Sequence, residues 1–117
     1  MSTLSVPRAD WYRFFDDFSR RHCGDLVDIT VVGAKIGAQH EVRGLPLNGF
    51  VADRFGRKIS IILGNSEAPN VDHPVDQPAR VWVELDELGG EIALAIESEN
   101  GAQTILELRM GSAPRPR

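Results

Sequence analysis

The stretch from Gln39 to Leu63 constrains this chain most, because its hydrophobic alternation changes parity partway along. Val42 belongs to the even positions, while Leu45, Leu47 and Val51 follow the odd ones. In a strand, successive side chains point to opposite faces, so a change of parity requires an extra residue. Gly44 is where such a bulge costs least, since glycine enters the left-handed region with no Cβ in the way. Pro46 has no N–H to give to a ladder and belongs at an edge or a bend. Arg54-Phe55-Gly56-Arg57 then turns the chain into a short apolar strand carrying Ile59, Ile61 and Leu63. A strand bent in this way serves both sides of a small, strongly curved sheet.

Before Gly24 the period is different. Trp11, Phe14, Phe15 and Phe18 fall at i, i+3, i+4 and i+7, with Arg13, Asp16, Asp17 and Arg20 on the other side. The spacing predicts a helix over 8–22. Pro7 suits its first turn, the cations Arg20, Arg21 and His22 complement its negative end, and Gly24 closes it. A face this rich in aromatics is suited to packing as a lid over a sheet or a barrel mouth.

After Gly24 the period becomes two, with Val27, Ile29 and Val31 on one face of a strand. Residues 33–37 are a small-residue connector. Gly64 to Ala79 contains three prolines and reads as the longest irregular segment. Val81, Val83 and Leu85 form the next strand face, and Trp82 and Glu84 lie opposite. Ile92, Leu94 and Ile96 lead to the hairpin signal Asn100-Gly101, after which Leu106, Leu108 and Met110 close the structure. The predicted class is α+β: an N-terminal amphipathic helix, then a strongly bent, mostly antiparallel five- or six-stranded sheet or small partly open barrel. Residues 1–110 are expected to form a single globular domain and 111–117 a flexible tail. Trp82 should stand outside the main core, covered either by the helix, the preferred reading, or by another chain.

The 117 residues suffice for one core, and 13 basic against 17 acidic residues leave a charge of −4, which disfavours a protein devoted to polyanions. The lone Cys23 excludes an internal disulfide. The first residues lack a basic head followed by an apolar run, and Ile59 to Leu63 is too short to cross a bilayer. A cytoplasmic protein without membrane contact is the simplest expectation.

Chemistry-bearing patterns are sparse. His22 and Cys23 are adjacent and badly placed to pair, and a helix C-terminus disfavours a thiolate. His22, His40 and His73 show no metal-ligand spacing. Asn70, Asp72 and Asp76 lack the sharp-turn glycine of a calcium loop. Gly56-Arg57-Lys58 lacks the phosphate-loop spacing and precedes a strand. No catalytic residue, cofactor or metal ligand is therefore assigned. Two surfaces stand out for binding. One is the proline-stiffened segment 64–79, where His73 can change charge near neutral pH with Asp72 and Asp76 placed to hold the proton, and Asp53 and Arg80 are rim residues. The other is the basic set Arg43, Arg54, Arg57 and Lys58, suited to RNA, although only Trp82 and Phe50 offer stacking platforms.

Trp11 to His22, then Ile36-Gly37-Ala38-Gln39, then Arg43 to Gly49 resemble a family of small bacterial proteins classed as a domain of unknown function. His73-Pro74, Pro78-Ala79-Arg80-Val81 and Ala95 to Ser98 fit the same pattern. That resemblance implies kinship and transfers no activity. The helix followed by a bent antiparallel sheet is also similar, at the level of fold, to Sm-like barrels, which implies rings and single-stranded RNA; the segment after Leu63 and the C-terminal hairpin depart from that pattern. The sequence thus points to a small non-enzymatic interaction domain that associates with itself or another protein. The alternatives are an Sm-like RNA-binding protein and a small metal-dependent or acid–base enzyme using Asp53, Asp72, His73 or Asp76.

Overall fold

The computed structural model describes residues 2–33, 37–64 and 70–109. In chain order it contains β1 (Ser2–Val6), a 3-10 turn (Arg8–Asp10), α1 (Trp11–His22), β2 (Leu26–Gly33), β3 (Gly37–Ala52) and β4 (Lys58–Leu63), followed by β5 (Val71–Asp76), β6 (Pro78–Leu85), β7 (Glu91–Ser98) and β8 (Gln103–Leu108). The strands form one eight-stranded sheet in the order β1-β6-β7-β8-β2-β3-β4-β5, antiparallel throughout. This corrects the sequence expectation: among the described residues the fold is dominated by an open eight-stranded sheet with one short helix, and it is not a five- or six-stranded sheet or a barrel.

The two strands that the sequence reading lacked form the two edges of the sheet among the described residues. β1 is built of Ser2, Thr3, Leu4, Ser5 and Val6, too polar for an apolar alternation to stand out. β5 occupies six residues of the segment expected to be irregular, and Pro74 is tolerated within it because an edge strand has one side without a ladder. The expected tail 111–117, Met110 and residues 34–36 and 65–69 lie outside the described residues.

The bend of β3 follows the sequence closely. Val27 pairs with Leu45 and Ile29 with Val42, leaving Arg43 and Gly44 opposite Asp28. Gly44 takes φ +65°, and its N–H donates to Asp28 Oδ1 at 2.7 Å. At Pro46 the strand leaves β2 and its pairing passes to β4. A second irregularity between Leu47 and Gly49 shifts parity again. Phe50 therefore turns inward, and Val51, expected among the core positions, is exposed.

Because the sheet curls, the inner faces of all strands from β2 to β8 and the aromatic face of α1 contribute to a single buried cluster. Trp11, Phe15 and Phe18 are buried and Phe14 packs beside them. The Phe15 and Phe50 rings lie 4.9 Å apart. Ser19 Oγ donates to the Phe15 carbonyl at 2.6 Å and accepts from the Phe50 N–H at 2.8 Å, which fixes α1 on β3. Arg8 donates to the carbonyls of Gly56 and Pro78 at 2.7 and 3.0 Å, pinning the β3–β4 turn to the start of β6. Among the described residues, no helix is long and apolar enough to cross a membrane.

Candidate functional site

The most distinctive surface lies on the outer face of β1, β6, β7 and β8. Val81 and Val83 point inward, so Arg80, Trp82 and Glu84 point outward. The register aligns Ser5, Trp82, Ala95, Ile105 and Thr30 in one row across the sheet. The neighbouring row runs Thr3, Glu84, Ala93, Glu107 and Asp28. Small side chains at Ala93 and Ala95 leave a shallow concavity of about 290 Å³ beside the Trp82 ring, with Glu84 and Glu107 on its rim. α1 packs on the opposite face against β3. The preferred expectation that the helix covers Trp82 is therefore corrected: the bend of β3 holds the helix inside the curl, and Trp82 faces out.

The charges of this face divide into paired and unpaired. Asp28 is held by Arg109 at 3.0 Å, and that hydrogen bond keeps its carboxyl below the usual carboxylate range against the opposing effect of burial. Glu97 lies 3.7 Å from Arg80 and 3.5 Å from the Gln103 amide. Glu84 and Glu107 are exposed and have no ion pair among the described residues. The Trp82 indole N–H likewise has no acceptor among them, so a ligand here would meet an aromatic ring, a free donor and two carboxylates.

A second cluster sits where α1 meets β7. His22 Nδ1 lies 2.9 Å from Asp25 and Nε2 lies 2.7 Å from Glu91, while Arg21 grips Glu91 with two bonds of 3.0 and 2.8 Å. Burial disfavours the charged imidazole, but the hydrogen bonds to Glu91 and Asp25 outweigh it and raise the His22 pKa. Burial also opposes the Glu91 carboxylate, yet His22 and Arg21 together bring it down to about 2. With both ring nitrogens occupied, His22 has no lone pair for a substrate proton or a metal; the cluster is a latch between helix and sheet. The sequence reading placed His22 as a helix-end cation and set it aside as a partner for Cys23 or a metal ligand. Glu91 lies 69 positions away, and no local pattern announces it.

The predicted partner-binding residues do not converge. Asp53 serves the β3–β4 turn, where its Oδ1 accepts from the Phe55 N–H at 3.0 Å. Asp72, Pro74 and Asp76 face outward on β5, while His73 shares the other face with Val75 and pairs in register with buried Ile61. Alternation thus separates His73 from both carboxylates expected to hold its proton. Arg80 alone belongs to the Trp82 face. Of the basic set, Arg43 stands apart in β3, while Arg54, Arg57 and Lys58 lie at the β3–β4 turn. Arg43 lies beside the bulge near Asp28, Arg54 stands over Tyr12 at 5.5 Å, Arg57 over Phe55 at 5.7 Å, and Lys58 pairs in register with Asp76. Phe50, considered as a stacking platform, is taken up by Phe15 and Phe18. Among the described residues no group of three or more His, Cys, Asp or Glu is placed to hold a metal ion.

Residues 2–116 match a family of unknown function, DUF5335. The chain belongs to this family. An uncharacterized protein of Aquifex aeolicus is 28% identical over 109 residues, covering 93% of this chain and 94% of that protein. The chain is also similar to part of the isoleucine–tRNA ligase of Azotobacter vinelandii, 36% identical over 91 residues, and of Stutzerimonas stutzeri, 35% identical over 91 residues. In both cases the match covers 76% of this chain and spans only 9% of the ligase. No solved structure matches the chain.

Proposed function

We propose that this member of the family is a non-enzymatic docking module, and that its Trp82 face receives a basic, apolar-flanked segment of another protein. One observation carries the reading: half-buried Trp82 faces outward one strand in from the β1 edge, beside Glu84 and Glu107, which have no ion pair among the described residues. Aromatic anchors in small-residue depressions dominate protein recognition, and an arginine or lysine over an indole gains a cation–π contact besides its carboxylate partners. An acidic rim repels nucleic acid phosphates, and the cations that would serve RNA lie outside this face, Arg54, Arg57 and Lys58 at the β3–β4 turn and Arg43 in β3. The ligase similarity supports an accessory role, since about a tenth of an enzyme's length suits an attached binding unit better than a catalytic centre.

Calorimetric titration with short arginine–leucine peptides, their glutamate–leucine counterparts and bulk tRNA tests this. The arginine peptides should bind, and Trp82→Ala should weaken them by about thirtyfold, the scale of a central aromatic anchor. Glu84→Lys with Glu107→Lys should abolish the preference for positive charge. Salt-sensitive tRNA binding that ignores Trp82→Ala would replace this reading with the RNA-binding one.

A further inference from the structure

We propose that β1 is a self-pairing edge, through which two copies of this chain join their sheets antiparallel about a twofold axis at Leu4. Among the described residues the open sheet has two free edges, and their chemistry differs sharply. Free edges expose N–H and C=O groups that invite another strand unless charge or proline blocks it. β5 is blocked: Pro74 withholds a donor, and pairing about it would set Asp72 directly against Asp76 of the second copy. β1 has neither defence. Ser2, Thr3, Leu4, Ser5 and Val6 include no charge and no proline, so a twofold pairing sets no like charges against each other.

The pattern of β1 is also self-complementary, as an isologous interface requires. Centred on Leu4, the axis places Leu4 against Leu4, Thr3 against Ser5 and Ser2 against Val6. Leu4 registers with buried Val83 and so lies on the core side of the sheet, yet it is 53% exposed because the core ends there. Pairing covers both leucines at the open margin of the two cores and sets hydroxyl against hydroxyl on the outer face. The edge is held ready for this: all five residues pair with β6, and the Val6 carbonyl accepts from the Trp11 indole at 2.8 Å. The inference stands apart from whatever the Trp82 face binds.

Analytical ultracentrifugation of the full chain over a wide concentration range should show a monomer–dimer equilibrium. Leu4→Asp should raise the dissociation constant by about tenfold or more, the scale of one buried leucine. In a Cys23→Ser background, Leu4→Cys should form a disulfide-linked dimer under mild oxidation, because opposed residues across an antiparallel pair lie near disulfide distance. Asp72→Cys, on the blocked edge, should not. The cross-linking arm decides the matter even if Leu4→Asp fails to fold. A Leu4→Cys chain that cross-links no faster than Asp72→Cys, or a dimer equally tight in folded Leu4→Asp, overturns the proposal.

Discussion

The inner and outer faces of β6, β7 and β8 share one backbone and differ in what covers them. Inward lie Val81, Val83, Leu94, Ile96 and Leu106, each at most 4% exposed beneath α1 and the other limb of the curled sheet. Outward lie Trp82, Ala95 and Ile105, half-buried, with Glu84 and Glu107 exposed beside them. Alternation assigns each residue to its face, but the bend of β3 decides which face receives the helix. The difference is that Trp82 stays half-buried because nothing among the described residues covers the outer face, whereas rings on the other side, such as Phe15, are fully enclosed.

Removing an aromatic from each face breaks the comparison most directly. Phe15→Ala deletes a ring that is 1% exposed and touches both Phe14 and Phe50, and it should cost about 3–5 kcal/mol. Trp82→Ala should cost about 1 kcal/mol or less, closer to the surface range. Urea denaturation midpoints measure both. Equal losses would show that the outer face is structural and would remove the basis for the docking reading.

The bend itself is the next test. Gly44→Ala places a Cβ at a residue with φ +65°, where its nearest neighbour would be the Arg109 guanidinium carbon at 3.0 Å. Arg109 is the ion partner of Asp28, which in turn accepts from the Gly44 N–H, so the strain and the pair are coupled. The left-handed conformation costs a non-glycine residue about 1–2 kcal/mol, and the displaced guanidinium adds to it. An unchanged denaturation midpoint would mean that the bulge is dispensable for holding α1 inside the curl.

Much of this architecture was legible because each element carries its own periodicity. The aromatic stripe located α1, and the parity change located the Gly44 bulge to the residue. Trp82 was correctly set outside the core face by counting along β6. Edge strands escaped because an edge has little apolar pattern: β1 has two apolar residues, and β5 hides its single buried Val75 between Pro74 and Asp76. The second shift after Leu47 went unseen because Asn48 resembles any exposed strand residue. The candidate site was only partly legible. Trp82 and Arg80 were visible, but Ala93, Glu107 and the concavity exist only through cross-strand register. The residues of the segment 64–79 looked convergent in sequence because neighbours along a chain were read as neighbours in space, and a strand sends them to opposite faces.

The smallest expected effect concerns the latch that closes the covered face. His22 has its pKa raised by Glu91 and Asp25 despite burial, so its stabilising contribution is complete below about 6.5, its unfolded value. It fades as pH rises through the folded value. Glu91 is lowered to about 2 from 4.5, so its contribution is complete above 4.5 and is lost as pH falls toward 2. Stability should therefore be greatest between about pH 4.5 and 6.5 as far as this latch is concerned. Both side chains retain some contact with water, which screens the pair and keeps the alkaline decline small. His22→Gln should flatten that decline, and Glu91→Gln should weaken both limbs at once, because it removes the partner that holds the imidazole charged. Trp82→Ala should leave the profile's shape untouched, since its face has no part in the latch. Urea midpoints across pH 3–9 measure these profiles, and an alkaline decline that survives His22→Gln would assign it to another group.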